Sequence, residues 1–477
     1  MPTARTAFAP ALSFPSWTGG RLLLAGLSGL AGLAGPAAAG GPDDGKVHVT
    51  YWEKWVSFEG QAMQTVIAEF NRSQDRIVVD YLPTSQIDRK MIVATAGGDP
   101  PDLVGLWAYN LASFADAEAL RPLDDFIRAD GLTPEQWLAR YYPVYARMIQ
   151  HSGRIYAGIS TPATIAFYWN KTLFREAGLD PDRPPRTLAE LNDYARRLTK
   201  HDPATGAITQ MGFLPQDPGW WPWIFCLWFG GELFDGRQIT LATNPKNLEA
   251  MRWIEGFTRD NGADAVKVFT SGAFGAWASA QAPFMSGKIA MVFQGVWYDN
   301  YIKQYKPGLD YGVGPWPEAA AGVKDFCLAE ADVLAIPRGA HHAREAWEFI
   351  KYVNSNNPRA RTREELRGGE LLCSLQQKLS PLREWSPYFE QHNPHPNIAV
   401  FRQLAASPNA RATPDIGVWQ EYYREFIAAF ERVRLLEATP EEALGFAHRR
   451  MTESWERYRR SLERHGQVPP AAPGHTP

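Results

Sequence analysis

Residues 47–107 read VHVTYWEKWVSFEGQAMQTVIAEFNRSQDRIVVDYLPTSQIDRKMIVATAGGDPPDLVGLW, and the order of elements in this stretch decides the fold. Positions 47–52 are β-branched and aromatic, the composition of a strand. Over 59–71, Met63, Val66, Ile67 and Phe70 recur at the spacing of one helix face. A second strand is expected over 77–82 and a second helix over about 86–96. That helix stops at Gly97-Gly98, where glycine can take the left-handed conformation. Residues 102–107 make a third strand. A β-α-β-α-β order implies a parallel sheet whose strand ends open onto a crevice.

The same alternation continues downstream. Strands are expected over 154–156 and 165–169, and Thr187 with Glu190 forms a capping box before a helix carrying Leu188, Leu191 and Leu198. A second α/β unit therefore begins near residue 159. Further strands are expected over 288–293 and 333–336, the latter leading into a helix with Trp347, Ile350 and Val353 on one face. The end is helical: 417–436 is one amphipathic segment, and Thr439-Pro440-Glu441-Glu442 opens another with a cap and a proline in the first turn. Upstream, LLLAGLSGLAGL follows Arg21, Pro36 breaks the run, and Ala37-Ala38-Ala39 supplies an A-x-A site. That pattern predicts a secretory signal peptide over 1–39 and a periplasmic product, since the run falls short of the roughly twenty residues a bilayer needs. A disordered tail is expected over 466–477. Cys226, Cys327 and Cys373 are too scattered for a disulfide framework and are expected to be buried as small hydrophobes.

Composition narrows the function. The chain has 477 residues, a net charge of -3 and interleaved acids and bases, which argues against nucleic acid as a partner. It contains no Walker-type phosphate loop, G-x-G-x-x-G, G-x-S-x-G, H-E-x-x-H or C-x-x-C. His341-His342 and His392 with His395 are read as surface or cap histidines, and neither metal nor cofactor is expected. Glu53, Glu59, Glu330 and Asp332 lie near strand ends. They are sugar-hydroxyl acceptors in one reading and a hydrolytic carboxylate pair in another.

The 18 tryptophans require an explanation. Trp137, Trp253, Trp347 and Trp455 fall on periodic helix faces and are expected in the core. Others cluster with polar residues at strand and loop ends: Trp52, Glu53 and Trp55; Trp107 and Asn110; Gln294 and Trp297; Trp316 in GVGPWP. The run GWWPWIFCLWFGG at 219–231 adds Trp221 and Trp223 as a stacking wall, with Trp228 anchoring it from behind. A pyranose has an apolar C–H face and a rim of hydroxyls, so flat rings with acceptors at their edges are what it needs.

Several segments, in this order, resemble the extracellular solute-binding proteins of ABC importers, in their large maltose-binding-protein-like sugar-binding family. They are VTYWEKW followed by the helix ending in AEFN, AGGDPPDLVGLW, GRIYAGISTPATIAFYWNKTLFREAGL, RTLAELNDYARRLT, GKIAMVFQGVW, YGVGPWP, VLAIPRGAHHAREAWEFIKYV and the terminal TPEEAL helix. The resemblance implies a two-lobe periplasmic-binding-protein fold with discontinuous lobes. The expected lobes are 43–158 plus 293–354 and 159–292 plus 355–465, with hinge crossings near 157–162, 290–294 and 353–358.

It also implies ligand contacts from Trp52, Glu53, Trp107, Asn110, Tyr168, Trp221, Trp223, Gln294, Trp297 and Trp419. Where many relatives carry glycines before the VLAIP strand, this chain has Glu330-Ala331-Asp332, which adds acids to the expected site. The implied function is capture of a sugar or oligosaccharide by a monomer that closes about its hinge and serves a permease in the inner membrane. A neutral or amino sugar suits these acids better than a sugar acid. A secreted glycan hydrolase and a receptor reporting to a sensor remain as alternatives.

Overall fold

The computed structural model describes residues 44–273 and 277–464, so the expected leader and tail lie outside the described residues. β1 (Val47–Glu53) buries Val49 and Tyr51, and α1 (Ser57–Ser73) turns Met63, Val66, Ile67 and Phe70 inward, so the spacing in the sequence is the packing. β2 (Ile77–Pro83) and β3 (Leu103–Trp107) flank β1 in parallel, with Val47 opposite Ile77 and Tyr51 opposite Leu103. α2 (Ile87–Gly97) ends where Gly98 takes φ +80° and returns its N–H to the Thr95 carbonyl. Another residue type there would cost about 1–2 kcal/mol.

Beyond β3 the sheet changes direction. The strand Cys327–Ala335 runs antiparallel to β3, with Asp332 opposite Trp107, and on its far side lies the strand Ala157–Asn170. All fourteen residues of Ala157–Asn170 are buried. Its first half pairs with Cys327–Ala335; its second half, from Ile165, pairs with Ile289–Gly295, which itself lies beside Ile208–Phe213. One sheet therefore runs through both lobes.

The strand expected over 165–169 is present but longer: it begins at Ala157, includes the expected crossing at 157–162, and runs unbroken to Asn170. Arg154–Ile155 closes a small ladder with Gln150–His151, and everything after Ala157 is continuous. Gly158 and Pro162 look like strand breakers but are accommodated. Pro162 sits opposite Ala331, and a Cβ on Gly158 would lie 2.5 Å from Asn354 Nδ2, so this glycine serves close packing under the helix Ala343–Val353.

A correction concerns the return into the second lobe, expected at 353–358. Asn354 is tied to the first lobe, accepting from Tyr141 Oη at 2.6 Å and from the Ile159 N–H at 2.8 Å. Leu372, Leu379, Phe401 and Leu404 then share a core with Val49 and Tyr51. The chain joins the other core only at Ile416. No periodicity distinguishes these helices from those of the second lobe, since either core would accept their apolar faces.

The second core collects Leu191 and Leu198 from the helix Leu188–Leu198, whose Thr187 cap accepts the Glu190 N–H. It also holds Phe225 and Trp228 from Ile224–Trp228, Met251 and Ile254 from Pro245–Asn261, and the inner faces of Trp419–Arg434 and Pro440–Arg464. The fold is thus α/β with two lobes, shared crossing strands and a helical C-terminus. Trp137, Trp347 and Trp455 are buried, whereas Trp253 is half-buried with its indole N–H on Asn192. The cysteines are buried and free.

Candidate functional site

A cavity of about 580 Å³ opens where the ends of β1 and β3 meet the second lobe. The first-lobe wall starts in the turn after β1. Glu53 is fully buried, accepts from Tyr51 Oη and from the Lys54 N–H at 2.7 Å, and lies across Gly105, where a Cβ would meet its carboxylate. Glu53 thereby fixes the turn that presents Lys54 and Trp55. Lys54 Nζ reaches Asp332 Oδ1 at 3.0 Å and Glu53 Oε1 at 3.3 Å, and hangs 5.1 Å from the ring centres of both Trp55 and Trp107. Burial alone would make this ammonium easier to deprotonate, but Asp332 and Glu53 outweigh it and hold the pKa above the ordinary lysine range. Lys378, arriving from a distant segment, pairs with Glu59 at 3.1 Å, touches Thr161 Oγ1 at 3.2 Å and faces the other side of the network at Trp55.

Glu330 and Asp332 are two residues apart on one strand, so both project from the same face. Asp332 is level with Trp107 at the end of β3, and Glu330 extends past that end into the cavity wall. Thr413 Oγ1 donates to Glu330 at 2.6 Å. Burial pushes the Glu330 carboxyl up to about 7, with Asp332 adding to the rise and Thr413 opposing it. Tyr109, stacked on Trp107 with ring centres 6.0 Å apart, is raised above the usual phenol range by burial and by these acids.

The opposing wall is aromatic. Gly219 takes φ +81° and turns the chain into Trp220 and Trp221, which meet edge to face at 5.2 Å. Trp220 also meets Trp277 at 5.0 Å, and Trp221 lies 6.1 Å from Trp297. Trp297 folds back over Gly295, where a Cβ would lie 2.2 Å from the indole. Trp419 and Tyr423 come from the helix Trp419–Arg434, with Tyr423 Oη donating to the Trp220 carbonyl at 3.0 Å.

Of the residues singled out from the sequence, Trp107, Trp221, Trp223, Trp297, Glu330, Asp332 and Trp419 line this cavity. Their exposure differs in a way that matters: Trp107 is 37% exposed, whereas Trp223 is 1% exposed and packed edge-on against Trp419 at 5.0 Å. Trp223 supports the wall; it is not its surface. Trp228 is buried behind, its N–H on the Pro317 carbonyl.

The remaining residues lie elsewhere. Trp52 is on the opposite face of β1 from Glu53, by strand parity. Asn110 is buried behind the wall, donating to Asp88 at 3.0 Å and accepting from Gln420 at 2.7 Å. Tyr168 is core, its hydroxyl on the Gly295 carbonyl, and Gln294 is buried with its Oε1 on the Gly295 N–H. Trp316 is core as well, stacked on Phe293 at 3.6 Å with its N–H on the Ile165 carbonyl. An indole whose N–H already has a backbone partner has no need of a loop or a ligand. Sequence reasoning missed Lys54, Tyr109, Trp220, Trp277, Tyr301, Lys378, Thr413, Gln420 and Tyr423 as lining residues. Trp220 lies inside a quoted motif and Tyr109 just beyond one, but nothing local marks Lys378 or Thr413. Among the described residues no group of His, Cys, Asp and Glu could hold a metal ion, and no helix is long and apolar enough to cross a membrane.

Two α/β lobes sharing strands, with an aromatic and acidic cavity between them, define a two-lobe solute-binding protein. The chain belongs to the bacterial extracellular solute-binding proteins, whose family model matches residues 57–359. A maltotriose-binding protein of Pyrococcus abyssi is 24% identical over 330 residues, 65% of this chain and 63% of the relative, so the match spans under two thirds of that protein. A putative binding protein of Brucella abortus is 22% identical over 90% of this chain and 96% of its own length. Among solved structures, CpMnBP1 with mannotriose bound is similar at a TM-score of 0.70 and 28% identity, covering 85% of this chain and 100% of that one. Lmo0181 of Listeria monocytogenes, in complex with cycloalternan, has a TM-score of 0.66 at 19% identity over 88% of this chain and 99% of its own. At that identity the likeness is one of fold. These relatives are binding proteins, not enzymes.

Proposed function

We propose that this protein is the substrate-binding component of an ABC importer that captures an oligosaccharide outside the inner membrane, as a monomer, and delivers it to a permease. The observation that carries this reading is the convergence on one cavity of indoles from separate parts of the chain, with carboxylates and hydroxyls between them. Covering roughly 50 Å² of an indole contributes about 1 kcal/mol, and micromolar affinity requires about 8 kcal/mol. Several stacked rings and a set of fixed hydrogen bonds together reach that range. The carboxylates support binding over hydrolysis, because Asp332, Glu53 and Glu59 are each engaged by a lysine.

Closure would follow from differential affinity: a ligand touching Trp107 on one lobe and Trp221 on the other favours the closed population. Two links already join the sides, Gln420 to Asn110 and His151 between Asp116 and Asp415. Titration of the purified protein with mannotriose and maltotriose by calorimetry, with the recovered sugar analysed afterwards, tests the reading. Saturable 1:1 binding of either sugar, recovered intact, is the expected result. Cleaved sugar would replace this reading with the hydrolase, and a screen of neutral and amino oligosaccharides without any binding would end it.

A further inference from the structure

The charges of the cavity are unequally matched. Both lysines in its lining are engaged by carboxylates, Lys54 by Asp332 and Glu53 and Lys378 by Glu59. Glu330 is the exception: among the described residues its partner is the Thr413 hydroxyl and no cation pairs with it. The surrounding rings act in the same direction. The faces of Trp and Tyr carry the negative part of their quadrupole and attract cations, an interaction that strengthens once water is excluded. Trp107, Tyr109, Trp221 and Trp297 all line this cavity. Excess carboxylate and aromatic faces in one enclosed volume favour a positive group and oppose an anion.

We infer that the ligand is an oligosaccharide bearing a protonated amine, with the ammonium group placed against Glu330 in the aromatic cavity. This rests on the sugar-binding reading above and adds the charge of the ligand to it. Glu330 acts as the specificity-determining residue. An anionic sugar would meet Glu330 and Asp332 without a free cation to receive it, and a neutral sugar would leave Glu330 with a hydroxyl partner only.

The inference has a pH signature. Around Glu330 stand Asp332 on its own strand, Tyr109 after β3, Thr413 on the return segment, and Lys54, Glu59 and Lys378 in the rest of the lining. Since burial holds its proton to about 7, binding an ammonium below that pH must expel the proton. The contact needs Glu330 ionised and the amine protonated, so affinity for the amine should pass through a maximum near neutral pH, falling on the acid side as Glu330 takes up its proton and on the alkaline side as the amine loses its own. Titration of the sugar amine alone predicts a steady rise with acid, because the amine gains charge as pH is lowered.

The test uses three probes on the full mature chain: a glucosamine trimer, its fully N-acetylated counterpart, and mannotriose. The amine trimer should bind about tenfold to a hundredfold more tightly than its acetylated counterpart near neutral pH, the span that hydrogen bonds to charged groups cover. E330Q should bring that ratio close to one, whereas rejection of the acetyl group by its bulk would leave the ratio unchanged. The pH dependence of the unaltered protein provides a second readout that needs no variant. Equal binding of all three probes, or a preference that survives in E330Q or keeps rising with acid below the pH at which Glu330 takes up its proton, overturns the amine inference and leaves sugar binding intact. Binding of none of the three overturns both.

Discussion

Trp221→Ala and Trp223→Ala should part company, although the two indoles are two residues apart. Trp221 is half-buried, touching Trp220 edge-on at 5.2 Å and Trp297 at 6.1 Å, and part of its face is open to the cavity. Its loss removes about 50 Å² of ring from a bound sugar, about 1.3 kcal/mol. Loosening its two aromatic neighbours adds about 0.5–1 kcal/mol. A total near 2 kcal/mol corresponds to a dissociation constant about thirtyfold weaker, with little change in Tm because few atoms move from core to water. Trp223 is 1% exposed and braces Trp419, so its truncation opens a core void costing about 3–5 kcal/mol of stability. Calorimetric titration with the best sugar and differential scanning calorimetry of both variants separate these effects. If Trp221→Ala binds like the unaltered protein, or Trp223→Ala melts like it, the division between wall and support is wrong.

Three further outcomes follow from single groups. His151 is hydrogen-bonded by Asp116 and Asp415 at 2.7 Å each; burial alone would lower its proton affinity, but the two carboxylates raise its pKa to about 10 from 6.5. A raised pKa stabilises fully below the unfolded value and is lost as pH rises through the folded one, so His151→Gln should cost about 2 kcal/mol at pH 6. That cost should fade toward pH 10, which thermal melts across the range will show. Glu330 is the opposite case: an acid raised from 4.5 to about 7 destabilises the fold as pH climbs between those values. E330Q should therefore melt above the unaltered protein at pH 8, by at most about 3 kcal/mol, and level with it at pH 4. Gly158→Ala would place a Cβ 2.5 Å from Asn354 Nδ2 and 2.6 Å from Ile350 Cγ2. Overpacking of this kind costs about 1–3 kcal/mol, to be read from denaturant melts.

Local order was legible where local rules decide it. The first three strands, the helix faces of Met63 and Phe70, the Gly98 stop and the Thr187 cap each depend on neighbours within a few residues. The site was legible in part for the same reason: the two-residue spacing of Glu330 and Asp332 puts them on one face whatever the rest of the chain does. Trp52 was misjudged because strand parity, which sends it to the face opposite Glu53, was not applied to the strand end. Trp316 and Tyr168 were misjudged because a polar atom on an aromatic ring can be satisfied by a distant carbonyl, here Ile165 and Gly295, that local pattern does not mark. Lys378 and Thr413 come to the cavity from far along the chain, by way of helices that pack on the first core where a switch to the second was expected.

The strand Ala157–Asn170 has a last implication. Beyond its midpoint, Ala166 and Tyr168 are packed into one core while Ile165, Phe167 and Trp169 are packed into the other. Neither half of the molecule owns this segment, so neither can be cut out and expected to stand alone. Heat should melt both halves in a single cooperative event. The closure proposed above would then be a twist along an unbroken ribbon, much as a torsion bar takes up motion without coming apart.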